Sequence, residues 1–288
     1  MSFDKVKISL ENVSYTYSQG TPFEIKALDN VNLDIHEGTI TGIIGHTGSG
    51  KSTMVQLFNG LTKPMAGRIL LDGVDIWAKP KEIGKIRFRV GLVMQYPEYQ
   101  LFEETVEADI AYGPKNMGLD EEEICRRVTD AARFVGLDPE MLPKSPFDLS
   151  GGQKRRAALA GIIAMRPEVL VLDEPAAGLD PMGRDAILGG ICSYQKETGA
   201  TVIIVSHSME DMARYCDEII VMDHAKVRMN GPRDEIFARS DELIDAGLDI
   251  PEITKLIWLL RARGVEIDRS IYTVDRAEAE LARLFGMA

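Results

Sequence analysis

The octapeptide GHTGSGKS, Gly45 to Ser52, is set between the apolar run TITGIIG and the helical run TMVQLFNGL. The pattern G-x-x-x-x-G-K-[ST], in strand, loop, helix order, puts glycines where a backbone must curl close to an anion and points free N–H groups from a helix N-terminus. The amides of Gly48, Ser49, Gly50 and Lys51 are expected to cradle phosphates, with Gly45, His46, Thr47 and Thr53 completing the loop and its exit. Lys51 belongs against the β and γ phosphates, and the Ser52 hydroxyl on Mg²⁺.

Other apolar runs extend this fragment into a sheet. VLVLDE (Val169 to Glu174), TVIIVSH (Thr201 to His207) and EIIVMD (Glu218 to Asp223) are nearly continuous apolar stretches, as strands buried on both faces require, and helical patterns separate them. The expectation is an α/β fold with a mainly parallel core sheet. KVKISLENVSYTY and ALDNVNLDI partly alternate apolar and polar residues, which suits an N-terminal antiparallel β subdomain. From about 95 to 166 helical signals replace strands: Thr105 is placed to cap a short helix ended by Gly113 and Pro114, and an amphipathic helix follows. Residues 1–231 thus read as a nucleotide-binding domain. Residues 232–288 read as a small helical unit, with Ile253, Leu256, Ile257 and Leu260 on one helix face and Ala277, Leu281, Leu284 and Phe285 on another.

A formal charge of −12 without a long basic run argues against broad nucleic-acid binding. Cys125, Cys192 and Cys216 match no metal-ligand spacing and are expected to be reduced thiols. No apolar run approaches the roughly 20 residues that span a bilayer, so the expected chain is soluble and cytoplasmic, with any membrane association supplied by a partner.

Strand carboxyl ends are where open α/β sheets bind ligands, which selects the next candidates. Asp173 is expected to hold the metal and Glu174 to act as general base toward water. His207, ending the next apolar strand, is placed to donate to the γ-phosphate. Gln95, after LVM, is placed to reach metal and water, and Tyr17, with Tyr15 as rival, to stack on adenine. A second phosphate-loop-like stretch, DLSGGQKRR, poses a puzzle: Ser150 and Gln153 form an S-x-x-Q capping box around Gly151 and Gly152, yet one phosphate loop is already present.

The phosphate loop, LSGGQ, LVLDEP, GLDP and the histidine after the next strand, in that order, resemble the ATP-binding cassette (ABC) ATPases, over roughly Lys5 to Gly231. The resemblance implies that Ser150, Gly151, Gly152 and Gln153 face the nucleotide of a second subunit, so that a head-to-tail dimer closes on two ATP molecules. Asp180, in AGLDP, would communicate between the two sites. The segment from Gln95 to Gly118 is similar to that of energy-coupling factor transporter ATPases, and PFEIKALDNVNLDI, KSPFDLSGGQ and LDEPAAGLDP to the second of that family's paralogous subunits, although Ala176 and Tyr96 replace a common threonine and phenylalanine. This implies a paralogous ATPase partner or a second copy, a membrane scaffold whose arginine-bearing coupling helices meet Glu103, Glu104, Glu107 and Asp109, and a membrane substrate-binding subunit. The implied function is an ATP-hydrolysing motor at the cytoplasmic face of an importer for vitamins or transition-metal ions. Another ABC importer, or a soluble cassette acting on ribosomes or DNA, is the alternative.

Overall fold

The computed structural model describes residues 5–286. Its first unit follows from alternation. Strands β1 (Val6–Tyr17) and β2 (Ile25–His36) pair antiparallel, with Tyr17 opposite Ile25 at the hairpin end, and β4 (Ala66–Leu71) and β5 (Val74–Asp75) complete a four-stranded sheet in the order β2-β1-β4-β5. Ile8, Leu10, Val13, Leu28, Leu33 and Ile35 are buried on the inner face.

The second sheet collects the apolar runs. It orders β10 (Lys226–Pro232), β9 (Glu218–Asp223), β3 (Ile40–Gly45), β8 (Thr201–Val205), β7 (Val169–Asp173) and β6 (Val90–Val93), parallel throughout except for β10 at one edge. Every residue of β3 and β8 is buried, the consequence of covering both faces. On one face lie α1 (Lys51–Phe58) and the first sheet; Met54, Val55, Leu57 and Phe58 join Ile43, Val169, Val171 and Ile203 in one core. The short helix α2 (Ile83–Arg89) leads into β6.

The helical insertion holds α3 (Val106–Asn116) and α4 (Glu121–Phe134), packed with α5 (Gly151–Ile163). Thr105 caps α3 by accepting from the Ala108 N–H at 3.2 Å. The helix does not stop at Gly113 and Pro114 as expected; it runs on to Asn116. Gly113 serves instead as a close crossing, since a β-carbon there would come within 2.6 Å of Met165 Cγ.

Helices α6 (Pro181–Thr198) and α7 (Met209–Tyr215) cover the other side, and α8 (Arg233–Ala238) and α9 (Ser240–Asp245) follow the sheet. Helices α10 (Glu252–Ala262) and α11 (Val274–Leu284) enclose a separate small core of Ile257, Ile267, Ile271 and Ala277, against which Leu281 and Leu284 pack. Leu256 and Phe285, expected on the inner faces, are exposed. No helix among the described residues is long and apolar enough to cross a membrane.

Candidate active site

Four strands of the parallel sheet deliver the chemistry from their carboxyl ends. β3 runs into the loop at Gly45, β6 into Gln95, β7 into Asp173 and Glu174, and β8 into His207. The loop curls as its glycines permit. Gly50 has φ +106° and a β-carbon there would collide with the Ala27 carbonyl, so no other residue fits. The Lys51 ammonium folds back over the loop, donating to the Gly45 carbonyl at 2.7 Å and the His46 carbonyl at 3.0 Å, which holds it at the mouth of the loop.

An open cleft of about 430 Å³ gathers Tyr17, Thr47, Gly48, Gly50, Lys51, Ser52, Thr53, Gln95, Asp173, Glu174 and His207. Residues scattered from 17 to 207 in sequence therefore converge on one volume. Ile25, Ala27 and Val205 also line it and were not among the sequence candidates; the hairpin register that sets Ile25 beside Tyr17 is the signal that could have found the first. The Tyr17 hydroxyl lies 3.1 Å from Thr53 Oγ1, and its ring meets Tyr15 edge-on at 4.9 Å.

The carboxylates are electrostatically distinct. Burial pushes Glu174 up to about 7, reinforced by the adjacent Asp173 charge and opposed by Lys51. Burial also raises Asp173, opposed by the Ser52 hydroxyl and by Lys51. Glu174 has φ +53°, a region disfavoured for residues with a β-carbon, and its N–H is pinned to the Val205 carbonyl at 3.0 Å. That backbone geometry turns the carboxyl toward His207, whose Nε2 is 3.5 Å from Glu174 Oε1, an oxygen that is buried without a hydrogen-bond partner. Burial and the Lys51 charge lower the His207 pKa, so the imidazole is neutral at pH 7 and one ring nitrogen carries a proton. The donor set of Ser52 hydroxyl, Asp173 carboxylate and Gln95 amide oxygen consists of hard oxygens, as a small divalent cation requires.

Other sequence candidates lie away from this cleft. His46 turns Nε2 to Asp223 Oδ1 at 3.1 Å, while its Nδ1 lies 2.9 Å from the Thr47 carbonyl oxygen and its own carbonyl accepts from Lys51 and from the Ser49 N–H, so it braces the loop without lining the cleft. Ser49 is fully buried beneath the loop. Ser150 caps α5, the Gln153 N–H reaching Ser150 Oγ at 3.4 Å and the Ser150 N–H reaching Gln153 Oε1 at 2.9 Å. Ser150 and Gly151 are exposed, and neither they nor Gly152 and Gln153 line the chain's own cleft. Asp180 caps α6 through the Gly183 N–H at 2.6 Å. Glu104 and Glu107 are exposed and Glu103 half-buried, whereas Asp109 is turned inward. Its carboxylate accepts from the Phe102 and Glu103 N–H groups at 3.3 and 3.1 Å, which closes the preceding loop and corrects the expectation that it faces a partner.

Comparison with known proteins agrees with this geometry. The ABC transporter family model matches residues 28–177. The chain is 54% identical over 282 residues to the energy-coupling factor transporter ATP-binding protein EcfA2 of Clostridium acetobutylicum, covering 98% of this chain and 99% of that one. Identity to the Clostridium tetani protein of the same name is 52% over 281 residues, 97% and 98% of the two chains. Among solved structures, cbiO1 of Clostridium perfringens, part of an ABC transporter complex, superposes with TM-score 0.75 at 40% identity over 88% of this chain and 99% of that one. A bacterial ABC transporter cassette solved as a dimer superposes with TM-score 0.71 at 31% identity, over 78% and 98%. With its phosphate loop, paired carboxylates and histidine on one cleft, the chain is an ATPase of the ABC transporter family and belongs to the ATP-binding proteins of energy-coupling factor transporters.

Proposed function

We propose that this chain is the motor of an energy-coupling factor importer, binding ATP in its own cleft and closing it against the Ser150–Gln153 counterpart of a second ATPase subunit. The observation that carries this reading is the division of the two phosphate-binding motifs. One set of groups converges on the cleft, while the capped N-terminus of α5 lies outside it, exposed and preorganised for an anion the chain itself does not hold. The 31%-identical cassette solved as a dimer supports the pairing.

Within the cleft Tyr17 stacks on the base, the amides from Gly48 to Lys51 enclose the phosphates, and Lys51 sets the γ-phosphate. Ser52, Asp173 and Gln95 hold Mg²⁺, which offsets phosphate charge. Glu174 Oε1, raised in pKa and unpartnered, takes the proton of the attacking water as the terminal phosphorus–oxygen bond of ATP breaks and ADP leaves. Neutral His207 donates to a γ-phosphate oxygen and orients the base beside it. Asp180, at the start of α6, carries the state of one cleft to the other subunit.

Docking of the membrane scaffold falls to Glu103, Glu104 and Glu107 on and before α3, whose carboxylates suit arginine side chains. The cargo, a vitamin or a metal ion, is selected by a separate membrane subunit, and this chain sits at the cytoplasmic face through its partners. Residues 1–231 form the motor domain, and the small core of α10 and α11 forms a contact between ATPase subunits. Purification of the Glu174→Gln chain with ATP from cells expressing its neighbouring genes tests the assembly. Co-elution of a second ATPase and an arginine-bearing membrane scaffold is expected; a lone self-dimer, or ribosomes, would contradict it.

A further inference from the structure

Arg155, two residues beyond Gln153 on α5, is only 5% exposed and touches none of the cleft groups. Its guanidinium nevertheless reaches two other segments that carry them. Nε and Nη2 fork the Glu98 carboxylate at 3.1 and 2.8 Å, and Nη1 donates to the Ala177 carbonyl. The Tyr96 ring centroid lies 5.9 Å from the guanidinium carbon. Glu98 stands three residues after Gln95; Ala177 stands midway between Glu174 and Asp180. One planar cation therefore ties together the glutamine segment, the turn after the general base and the helix that opens with LSGGQ.

The arrangement is built, not incidental. A side chain so buried is costly to desolvate unless its donors are satisfied, and the Glu98 side chain facing it is 16% exposed. An ion pair in this setting, unlike an exposed one, fixes geometry because removal of either partner leaves the other buried and uncompensated. Lysine cannot substitute, since a single ammonium lacks the fork that serves Glu98 and Ala177 in fixed directions.

We propose that Arg155, through Glu98 and Ala177, is a positioning residue that couples the partner-facing end of α5 to the placement of Gln95 and Glu174. A shift of α5 on engaging the second subunit's nucleotide then moves the glutamine segment and the 174–180 turn as one body, so that the hydrolytic groups are set only when the dimer closes. The inference rests on the proposed two-subunit site.

The test uses the full chain assembled with its partner subunits, with Arg155→Lys, Arg155→Gln, Glu98→Gln and the Arg155→Gln/Glu98→Gln double variant. Expected are a fall in kcat of at least tenfold for both Arg155 variants, KM for ATP within threefold of the parent, and a double variant no slower than Arg155→Gln alone. Unchanged kcat in Arg155→Lys would overturn the proposal. So would loss of ATP affinity in parallel with kcat, or independent multiplication of the two defects. Glu98→Gln, which keeps the side-chain shape, guards against misfolding: a kcat loss with an unchanged melting temperature supports coupling, and an unchanged kcat opposes it. ATP-dependent pairing of Glu174→Gln subunits, measured by light scattering on the same preparations, separates the two readings, because absence of pairing with Arg155 intact contradicts the two-subunit site itself.

Discussion

Glu174 joins three unfavourable conditions in one residue: a left-handed backbone, burial and a neighbouring carboxylate. The protein holds that residue in a protonation balance useful for accepting a proton near neutrality. Below pH about 7 the carboxyl is protonated and cannot act as base, so turnover by the assembled ATPase is expected to fall roughly tenfold per pH unit on the acid side. A pH profile of kcat that stays flat from pH 7 to 5 would contradict the role. The same shift has a stability consequence. With the folded value near 7 and the unfolded value near 4.5, the folded state binds more protons between them, so this group's contribution to stability declines as pH rises through that window. Glu174→Gln, without nucleotide, is therefore expected to raise the melting temperature more at pH 8 than at pH 5. Calorimetry at both values checks the sign.

At the scale of elements, Ser150 caps α5, and the proposed two-subunit site gives the same serine a chemical duty. Ser150→Ala removes the cap and is expected to cost about 1 kcal/mol and most ATPase activity. Ser150→Asp keeps a capping oxygen yet sets a negative charge where the second subunit's phosphates would lie. It is expected to melt within a few degrees of the parent and to hydrolyse ATP at least a hundredfold more slowly. Normal turnover in Ser150→Asp would leave the serine a cap and nothing more. The sequence was most legible where one local cause dominated: continuous apolarity announced β3, β7, β8 and β9, and the strand-loop-helix pattern announced the phosphate cradle. It was least legible where a distant contact decided. Gly113 and Pro114 look like a stop, but the glycine answers to Met165 in the turn just after the neighbouring helix α5, and the helix continues. Asp109 sits among outward acids in sequence, yet two backbone N–H groups draw it inward. Arg155 is one of three consecutive cations in the sequence, and only the fold brings Glu98 and Ala177 to it. β10 and the β4–β5 hairpin carried too little apolar pattern to be seen.

Across the whole molecule, neither the exposed end of α5 nor the acidic end of α3 lines the cleft, and the proposed motor assigns each of the three its own task. Reversing charge at Glu104 and Glu107, both exposed, is expected to leave nucleotide binding and melting temperature unchanged while reducing recovery of the membrane scaffold severalfold in salt-dependent pull-downs. Retained recovery would place the docking surface elsewhere. The most direct test of the account is ATP hydrolysis and substrate uptake measured together in liposomes carrying the complete transporter, parent against Glu174→Gln. The variant is expected still to bind ATP but to hydrolyse it far more slowly, with uptake down at least tenfold. Uptake at the parental rate in that variant would contradict the claim that this cleft drives transport.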